Sequence, residues 1–418
     1  MNRPKGTKDI FGKRQEIRKT VLNHLRTVSE IYDFKEIETP IFERKEVFSK
    51  AVGESSDIVS KEMYEFEDKK GRKMTLRPEG TAGVIRAIVE NKLYATLPLR
   101  VFYMGPMFRY ENPQKGRQRQ FTQFGVELIS EKSPLVDGEV IMMADMILKT
   151  LGIEAELQLN SIGDLATRQA YSKALKEYFT KNKKELSADS VKRIETNPMR
   201  ILDDKVDSKK DVVKNAPMID EFYSKESKAY FDELKDFLTQ MGIEFKVVKT
   251  LVRGLDYYSD TAFEFVSLSS SAGSQSTIIG GGRYDSLIKS FGGPEISGIG
   301  FGLGIERLVN DLEAQLGDET PMSAPDVFVL NISPDAQVAT AGLVYMLRSS
   351  GIATAWNSKV MKLQKAFVKA DKSNAHYNII AGAKELNNGE VVVKHHGTQD
   401  TVKIEKLVEY LTTHGGDH

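Results

Sequence analysis

Residues 100–129, RVFYMGPMFRYENPQKGRQRQFTQFGVELI, restrict the fold more than any other stretch of the chain. They read as two β-strands joined by a long basic loop. In the second strand successive side chains point to opposite faces. Thr122, Phe124, Val126 and Leu128 then form a mostly apolar face that can pack on a core, while Arg119, Phe121, Gln123, Gly125 and Glu127 occupy the other. A flat ring, an amide, a bare backbone position and a carboxylate in a row make a surface for holding something flat and polar. Arg109 and Arg119 end the loop, with Lys115 and Arg117 around a glycine inside it. Cations so placed suit phosphate oxygens. A solvated hairpin with a salt-bridged polar face accounts for the same residues.

A length of 418 residues is too great for one ordinary core and predicts two or three domains. The 59 basic and 59 acidic residues cancel, so any nucleic-acid contact has to come from local patches. The chain has no cysteine, which excludes disulfides, thiolate catalysis and cysteine-based zinc sites. Five of the six histidines lie at or beyond His376, and no HExxH occurs, so a metal site built from Cys or His is not expected. The start, MNRPKGTKDIFGKRQ, lacks an apolar run, and no stretch approaches membrane-spanning length; a cytoplasmic location without membrane partners is the expectation.

Ile17, Val21, Leu25, Val28 and Ile31 recur at helical spacing, predicting an amphipathic helix over residues 13–32. YDFKEIETPIFE follows as a short strand with Pro40 near its end, which marks an edge or a bend. Residues 63–67 and 73–76 read as a hairpin, and Thr81 as the start of a helix. In the Arg77-Pro78-Glu79-Gly80-Thr81 junction, Thr81 is placed to cap that helix. The same junction also describes, as a second reading, a site where Glu79 binds an ammonium group. A helix and a strand come next, then a helical, lysine-rich block over about residues 166–240 that interrupts two strand-rich regions. Its surface is read as a solvated charged face or as a nucleic-acid contact.

Strands are predicted to resume with EFKVVKTLVRGLDYYSDTAFEFVSL, where Arg253 needs a partner if buried, either a carboxylate or a phosphate. In SGIGFGLGIERL glycines alternate at 298, 300, 302 and 304, leaving one face of that strand bare for a flat ligand. Arg307 falls on the first turn of the helix that follows. Residues 313–325 are a linker by composition. Beyond them strands and helices alternate, predicting a small α/β domain with a mainly parallel sheet, in which Lys362, Lys365 and Lys369 form a solvated helix face.

Taken together, ETPIFE with Pro40, FRYENPQKGRQRQF, GFGLGIERL, LVRGLDYY and GGGRYD, in that order, resemble the bacterial-type histidine–tRNA ligases (histidyl-tRNA synthetases), a family of class II aminoacyl-tRNA synthetases. The resemblance covers essentially the whole chain. It implies an α+β catalytic domain over residues 1–320, with an antiparallel sheet flanked by helices and the helical insertion at about 166–240, and a C-terminal α/β anticodon-binding domain over residues 326–418. The activity implied is activation of L-histidine by ATP, with Mg²⁺ bound to the ATP, followed by transfer to tRNA(His) by a homodimer. A non-catalytic, histidine-sensing paralogue that regulates ATP phosphoribosyltransferase is the alternative.

Roles follow by position in those motifs. Arg109 would grip the ATP α-phosphate and the substrate carboxylate, and Arg253 would approach the α-phosphate; these two are the candidate catalytic residues. Phe121 would stack on adenine, Arg307 would cover its other face, and Glu111 and Arg117 complete the ATP set. Glu79, Thr81 and Gln123 would hold the α-amino group of histidine, with Glu127, Tyr257 and Tyr258 around its imidazole. Gln114 and Arg119 would meet the tRNA acceptor end. Asn112, Gln118 and Thr122 depart from the family pattern, which bears on how that end is read.

Overall fold

The apolar stripe near the N-terminus forms helix α1, Lys13–Ile31, with Ile17, Val21, Leu25 and Val28 buried and Ile31 left exposed on its last turn. The computed structural model of the chain describes every residue except 54, 55, 57, 113–116, 205, 253–256, 270–275, 321, 396 and 414–418. It divides into two compact units, Met1–Thr320 and Pro321–His418.

The YDFKEIETPIFE segment is two strands, not one. β1 (Lys35–Glu36) and β2 (Phe42–Arg44) belong to different sheets. Pro40 lies between them, and a residue with no N–H to give a ladder is a natural place for the chain to change sheets. After α2 (Lys45–Val52), strands β3 (Glu65–Glu67) and β4 (Lys73–Leu76) pair antiparallel, and β2 joins the other edge of β4. Helix α3 (Thr81–Glu90) leads to the long hairpin of β5 (Leu99–Phe108) and β6 (Gln120–Ser130). Ser133 caps α4 (Pro134–Thr150), accepting from Leu135 N at 3.3 Å, with proline at the first helical position where no N–H is missed.

β7 (Ala155–Ser161) then gives way to the helical excursion: α5 (Leu165–Lys181), α6 (Ala188–Thr196) and α7 (Asp211–Lys214), followed by α8 (Lys225–Gln240). The excursion begins and ends at one point. Asp164 caps α5 through Thr167 N (2.7 Å) and accepts from Ser224 Oγ (2.6 Å), the residue that caps α8. α8, which follows the excursion, belongs to the main core, where Phe231, Leu234 and Leu238 pack. The return to strand is shorter than the sequence predicts: β8 is only Lys246–Val247, and β9 starts at Ser259 and ends at Ser267. β10 (Thr277–Tyr284), α9 (Leu287–Ser290), β11 (Ser297–Gly304) and α10 (Ile305–Leu316) complete the unit. Thus the first residues of the 313–325 segment are helical, and Leu312 is buried just before them.

The large sheet has the order β1-β5-β6-β11-β10-β9-β7-β8. Pairing is antiparallel from β5 through to β7, and parallel only where β1 and β8 join the edges. On one face Phe124, Val126 and Leu128 of β6 pack with α1, α4, α8 and α10. The opposite face of the same strands, including Val101, Tyr103 and Ile129, packs with α2, α3 and the excursion. Each large side chain fully removed from water contributes about 1.5–3 kcal/mol, so the alternation in β5 and β6 fixes their orientation between the two layers.

In the second unit β12 (Val327–Asn331), α11 (Gln337–Ser349), β13 (Thr354–Trp356), α12 (Leu363–Ser373) and β14 (Tyr377–Ala381) follow the predicted alternation. α13 (Ala383–Asn387), β15 (Glu390–His395), β16 (Thr398–Lys403) and α14 (Leu407–Thr413) follow. The sheet, in the order β13-β12-β14-β15-β16, is mixed, since β13, β12 and β14 are parallel but β15 and β16 run antiparallel. α12 buries Ala366 and Ala370 against Phe328 and Leu330, leaving Lys365 and Lys369 exposed.

Candidate active site

At the start of α3 the capping group is Glu79, not Thr81. Glu79 Oε2 accepts from Thr81 N and Oε1 from Ala82 N, both at 2.8 Å. Two backbone N–H groups and the positive end of the helix thereby stabilise a fully buried carboxylate. Burial nonetheless raises its pKa, against these hydrogen bonds and the charge of Arg109. The Thr81 hydroxyl is free of capping and donates to Glu127 Oε1 at 2.7 Å.

One cavity of about 410 Å³ collects most of the residues singled out from the sequence. Glu79, Thr81, Gln123, Tyr257 and Tyr258 line it together with Arg109, Glu111, Arg117, Phe121 and Arg307. The β6 alternation turns Phe121 and Gln123 toward it, and Gln123 Oε1 is buried with no hydrogen-bond partner among the described residues. Tyr257 and Tyr258 stand side by side, ring centroids 4.6 Å apart.

Each cation is held by a different element. Arg109 donates from Nε to the Pro78 carbonyl (2.8 Å) and its guanidinium lies 5.3 Å from the Phe121 ring centre. Arg117 pairs with Glu111 at 2.9 Å. Arg307 donates to the Thr277 carbonyl. Burial, followed by the charges of Arg117 and Arg109, lowers the pKa of Arg307. Three guanidinium groups held this close favour a multiply charged anion between them.

Glu127 and Arg119 are placed elsewhere. Glu127 is 1% exposed and does not line the cavity; its second oxygen accepts from the Tyr284 hydroxyl. Burial is the main cause that raises its pKa to about 8. Arg119 lies at the base of the loop, its guanidinium stacked 3.8 Å over Tyr110 and its backbone N–H bonded to Gly6 O at 2.8 Å. Gln114 and Arg253 lie outside the described residues.

The glycine-alternating strand is not bare along its length. A Cβ on Gly298 would meet Tyr284, one on Gly300 would meet Glu127 Oε2 at 2.2 Å, and one on Gly302 would meet Gln123 Nε2 at 2.3 Å. Side chains from β10 and β6 fill the room these glycines leave. Only toward Gly304 is the space open, the nearest atom being Arg307 Cγ at 3.9 Å.

Sequence reasoning passed over Glu264, Thr277 and Glu306, which also line the cavity. Thr277 Oγ donates to Glu264 at 2.8 Å, and Glu306 accepts from Thr122 N at 2.9 and 3.0 Å, clamping β6 to α10. A single acid inside the apolar run of β9 was the available sign for Glu264.

An antiparallel sheet carrying arginines on a hairpin strand and on the helix after a glycine-rich strand defines the catalytic domain of a class II aminoacyl-tRNA synthetase. The family model described as histidyl-tRNA synthetase matches residues 6–308, and that of an anticodon binding domain matches residues 326–414. The chain therefore belongs to the histidyl-tRNA synthetase family and is an ATP-using ligase. It is 43% identical over 417 residues to the histidine–tRNA ligase of Bacillus licheniformis, covering 99% of this chain and 98% of that one. The apo histidyl-tRNA synthetase of S. aureus superposes with a TM-score of 0.82 at 36% identity, covering 98% of this chain and 99% of that one. A Bacillus halodurans structure described as an ATP phosphoribosyltransferase regulatory subunit/histidyl-tRNA synthetase reaches 0.65 at 22% identity, over 91% of this chain and 99% of that one, which establishes the shared fold alone. Near full-length similarity to named ligases favours tRNA charging over the regulatory alternative.

Proposed function

We propose that the cavity performs both steps of histidine transfer and that its residues divide the work as follows. The histidine carboxylate attacks the α-phosphorus of ATP, the bond to the bridging oxygen breaks, and pyrophosphate leaves; the terminal ribose hydroxyl of tRNA(His) then attacks the acyl carbon and releases AMP. Neither step needs a protein nucleophile. Positioning and cationic stabilisation of phosphate charge supply the rate. Arg109, Arg117 and Arg307 would hold the polyphosphate, with Arg253 as a fourth cation toward the α-phosphate and Phe121 under the adenine. Glu79 and Gln123 would accept from the α-ammonium group, and Tyr257 and Tyr258 would wall the imidazole. Magnesium would enter with the β- and γ-phosphates of ATP, and Glu264 and Glu111, two of the four acids that line the cavity, would be the residues to meet it.

The observation that carries this reading is the convergence of three guanidinium groups with Glu79 and the unpaired Gln123 Oε1 in one cavity. Histidine-dependent ATP–pyrophosphate exchange without tRNA tests it. Exchange with histidine and no other amino acid is expected, and Arg253→Ala is expected to lower it by about 10²–10³, as for loss of one charge-stabilising donor. Exchange at the unaltered rate in that variant would remove Arg253 from the mechanism.

We place the chain in the cytoplasm as a homodimer. No helix among the described residues is long and apolar enough to cross a membrane. Exposed Phe42 and Phe66, with ring centroids 6.5 Å apart on the small sheet, support a second copy docking there. Sedimentation that yields only monomer would refute this.

A further inference from the structure

We propose that Arg168, on the first turn of α5, is a positioning residue for the amino-acid side of the active site, holding Tyr258 through its main chain. The inference rests on Tyr258 being a wall of the histidine pocket. Tyr258 lines two cavities at once: the active-site cavity and a second one of about 500 Å³, whose walls include Arg168, Leu165, Met199 and Val252. The residue is nonetheless 6% exposed, and its ring packs in the core beside Tyr257, ring centroids 4.6 Å apart. Where that ring stands is set by this packing together with the backbone that carries it.

Arg168 Nη1 donates to the Tyr258 carbonyl at 2.8 Å, a charge-assisted bond arriving from the excursion, not from the sheet. The chain beyond Tyr258 is unusually placed. Asp260 has φ 45°, left-handed backbone in a residue with a side chain, and such a conformation persists only where surrounding bonds hold it. Those bonds come from the same corner: Ile162 N to Asp260 O (2.7 Å), Asp260 N to Gly163 O (3.0 Å) and Ser227 Oγ to Asp260 Oδ1 (3.2 Å). With Asp164 fixing the start of α5, Arg168 is delivered to Tyr258 from a rigid mount. The root of the excursion therefore serves the pocket as well as carrying the helices.

The test is pyrophosphate exchange by full-length Arg168→Ala and Arg168→Lys, with KM measured separately for histidine and ATP and folding followed by thermal melting. Arg168→Ala is expected to raise KM for histidine about tenfold, the lower range for loss of a hydrogen bond to a charged group, with KM for ATP changed less than about twofold. Lysine keeps a cation and one reachable N–H, and should restore part of the difference. Equal shifts in both constants, no shift in either, or failure of both variants to fold would overturn the proposal, since each describes an absent or merely structural role. Tyr258→Ala, which removes the ring, tests the reading beneath it. An unchanged KM for histidine there removes that reading and the proposal together, whereas a raised one beside an unaffected Arg168→Ala removes only the proposal.

Discussion

Thr81 Oγ and Glu127 Oε1, 46 positions apart in sequence, are joined by a 2.7 Å hydrogen bond that ties the first residue of α3 to the middle of β6. Both oxygens of Glu127 accept from hydroxyls, Thr81 on one side and Tyr284 on the other. A carboxyl this deeply buried ionises only at the expense of its lost hydration.

The pH dependence of stability follows. Burial, opposed by the hydrogen bonds of Tyr284 and Thr81, carries Glu127 from 4.5 to about 8. A raised folded-state value means that the native form holds the proton more tightly than the unfolded chain does. The stabilisation is full below about pH 4.5 and is lost as pH rises through about 8. Denaturant midpoints should fall across this window, and fall less in Glu127→Gln. An identical slope in that variant would assign the effect to other groups.

Gly300 and Gly304 should respond oppositely to alanine. At Gly300 the methyl would lie 2.2 Å from both Glu127 Oε2 and the Val126 carbonyl, which cannot withdraw without breaking the pairing of β6 and β11. Overpacking of that kind costs roughly 1–3 kcal/mol or more, and a lowered melting temperature with weakened histidine binding is expected. Gly304→Ala has open space and should melt normally while narrowing the cavity. Equal melting of the two variants would contradict this geometry.

Arg283 and Asp137 are 1% and 0% exposed and form an ion pair between β10 and α4, with Ser297 and Thr261 completing their hydrogen bonds. Asp137→Ala leaves the buried guanidinium with Asp285 Oδ1, 3.5 Å away, as its remaining anion, a loss of up to about 3–5 kcal/mol. Adding Arg283→Met to Asp137→Ala should recover part of that loss in equilibrium unfolding. A double variant no more stable than the single one would refute the account. The arginine of GGGRYD, buried and paired with Asp137, is a structural anchor.

Arg307→Ala should separate stability from activity. Burial and the neighbouring charges of Arg117 and Arg109 make the guanidinium costly to hold in the free protein. Its loss should leave the melting temperature unchanged or slightly higher, while pyrophosphate exchange drops by about 10²-fold. A melting temperature that falls as steeply as activity would show the residue to be structural.

The hairpin and its two faces were legible in the sequence because period-2 alternation over β6 is strong: Phe124, Val126 and Leu128 enter the core and Phe121 and Gln123 face the cavity. Glu79 as cap was hidden. Thr81 is a capping type, and only the fold shows the preceding carboxylate reaching back to the N–H groups. β16 was missed because TQDTVK buries only Val402, so an edge strand carries no alternation to read. Glu306 reveals its role only through Thr122, 184 positions away, and no local pattern encodes that. For the glycines of β11 the pattern was legible but its beneficiary was not, because the side chains that fill the space come from neighbouring strands.

The meeting of Asp164 and Ser224 makes the intervening helices a cassette: chain leaves and re-enters the catalytic unit through one doorway, Ser224 Oγ lying 2.6 Å from the Asp164 carboxylate. The doorway is narrow enough for a short linker to bridge, as in tolerated domain insertions, although the helices also cover one face of the sheet. A transplanted or shortened cassette, however, has to bring its own arginine at the position of Arg168, because the bond to Tyr258 is supplied from inside the exchanged piece. Swapping these helices between relatives is therefore also an exchange of one support of the amino-acid pocket.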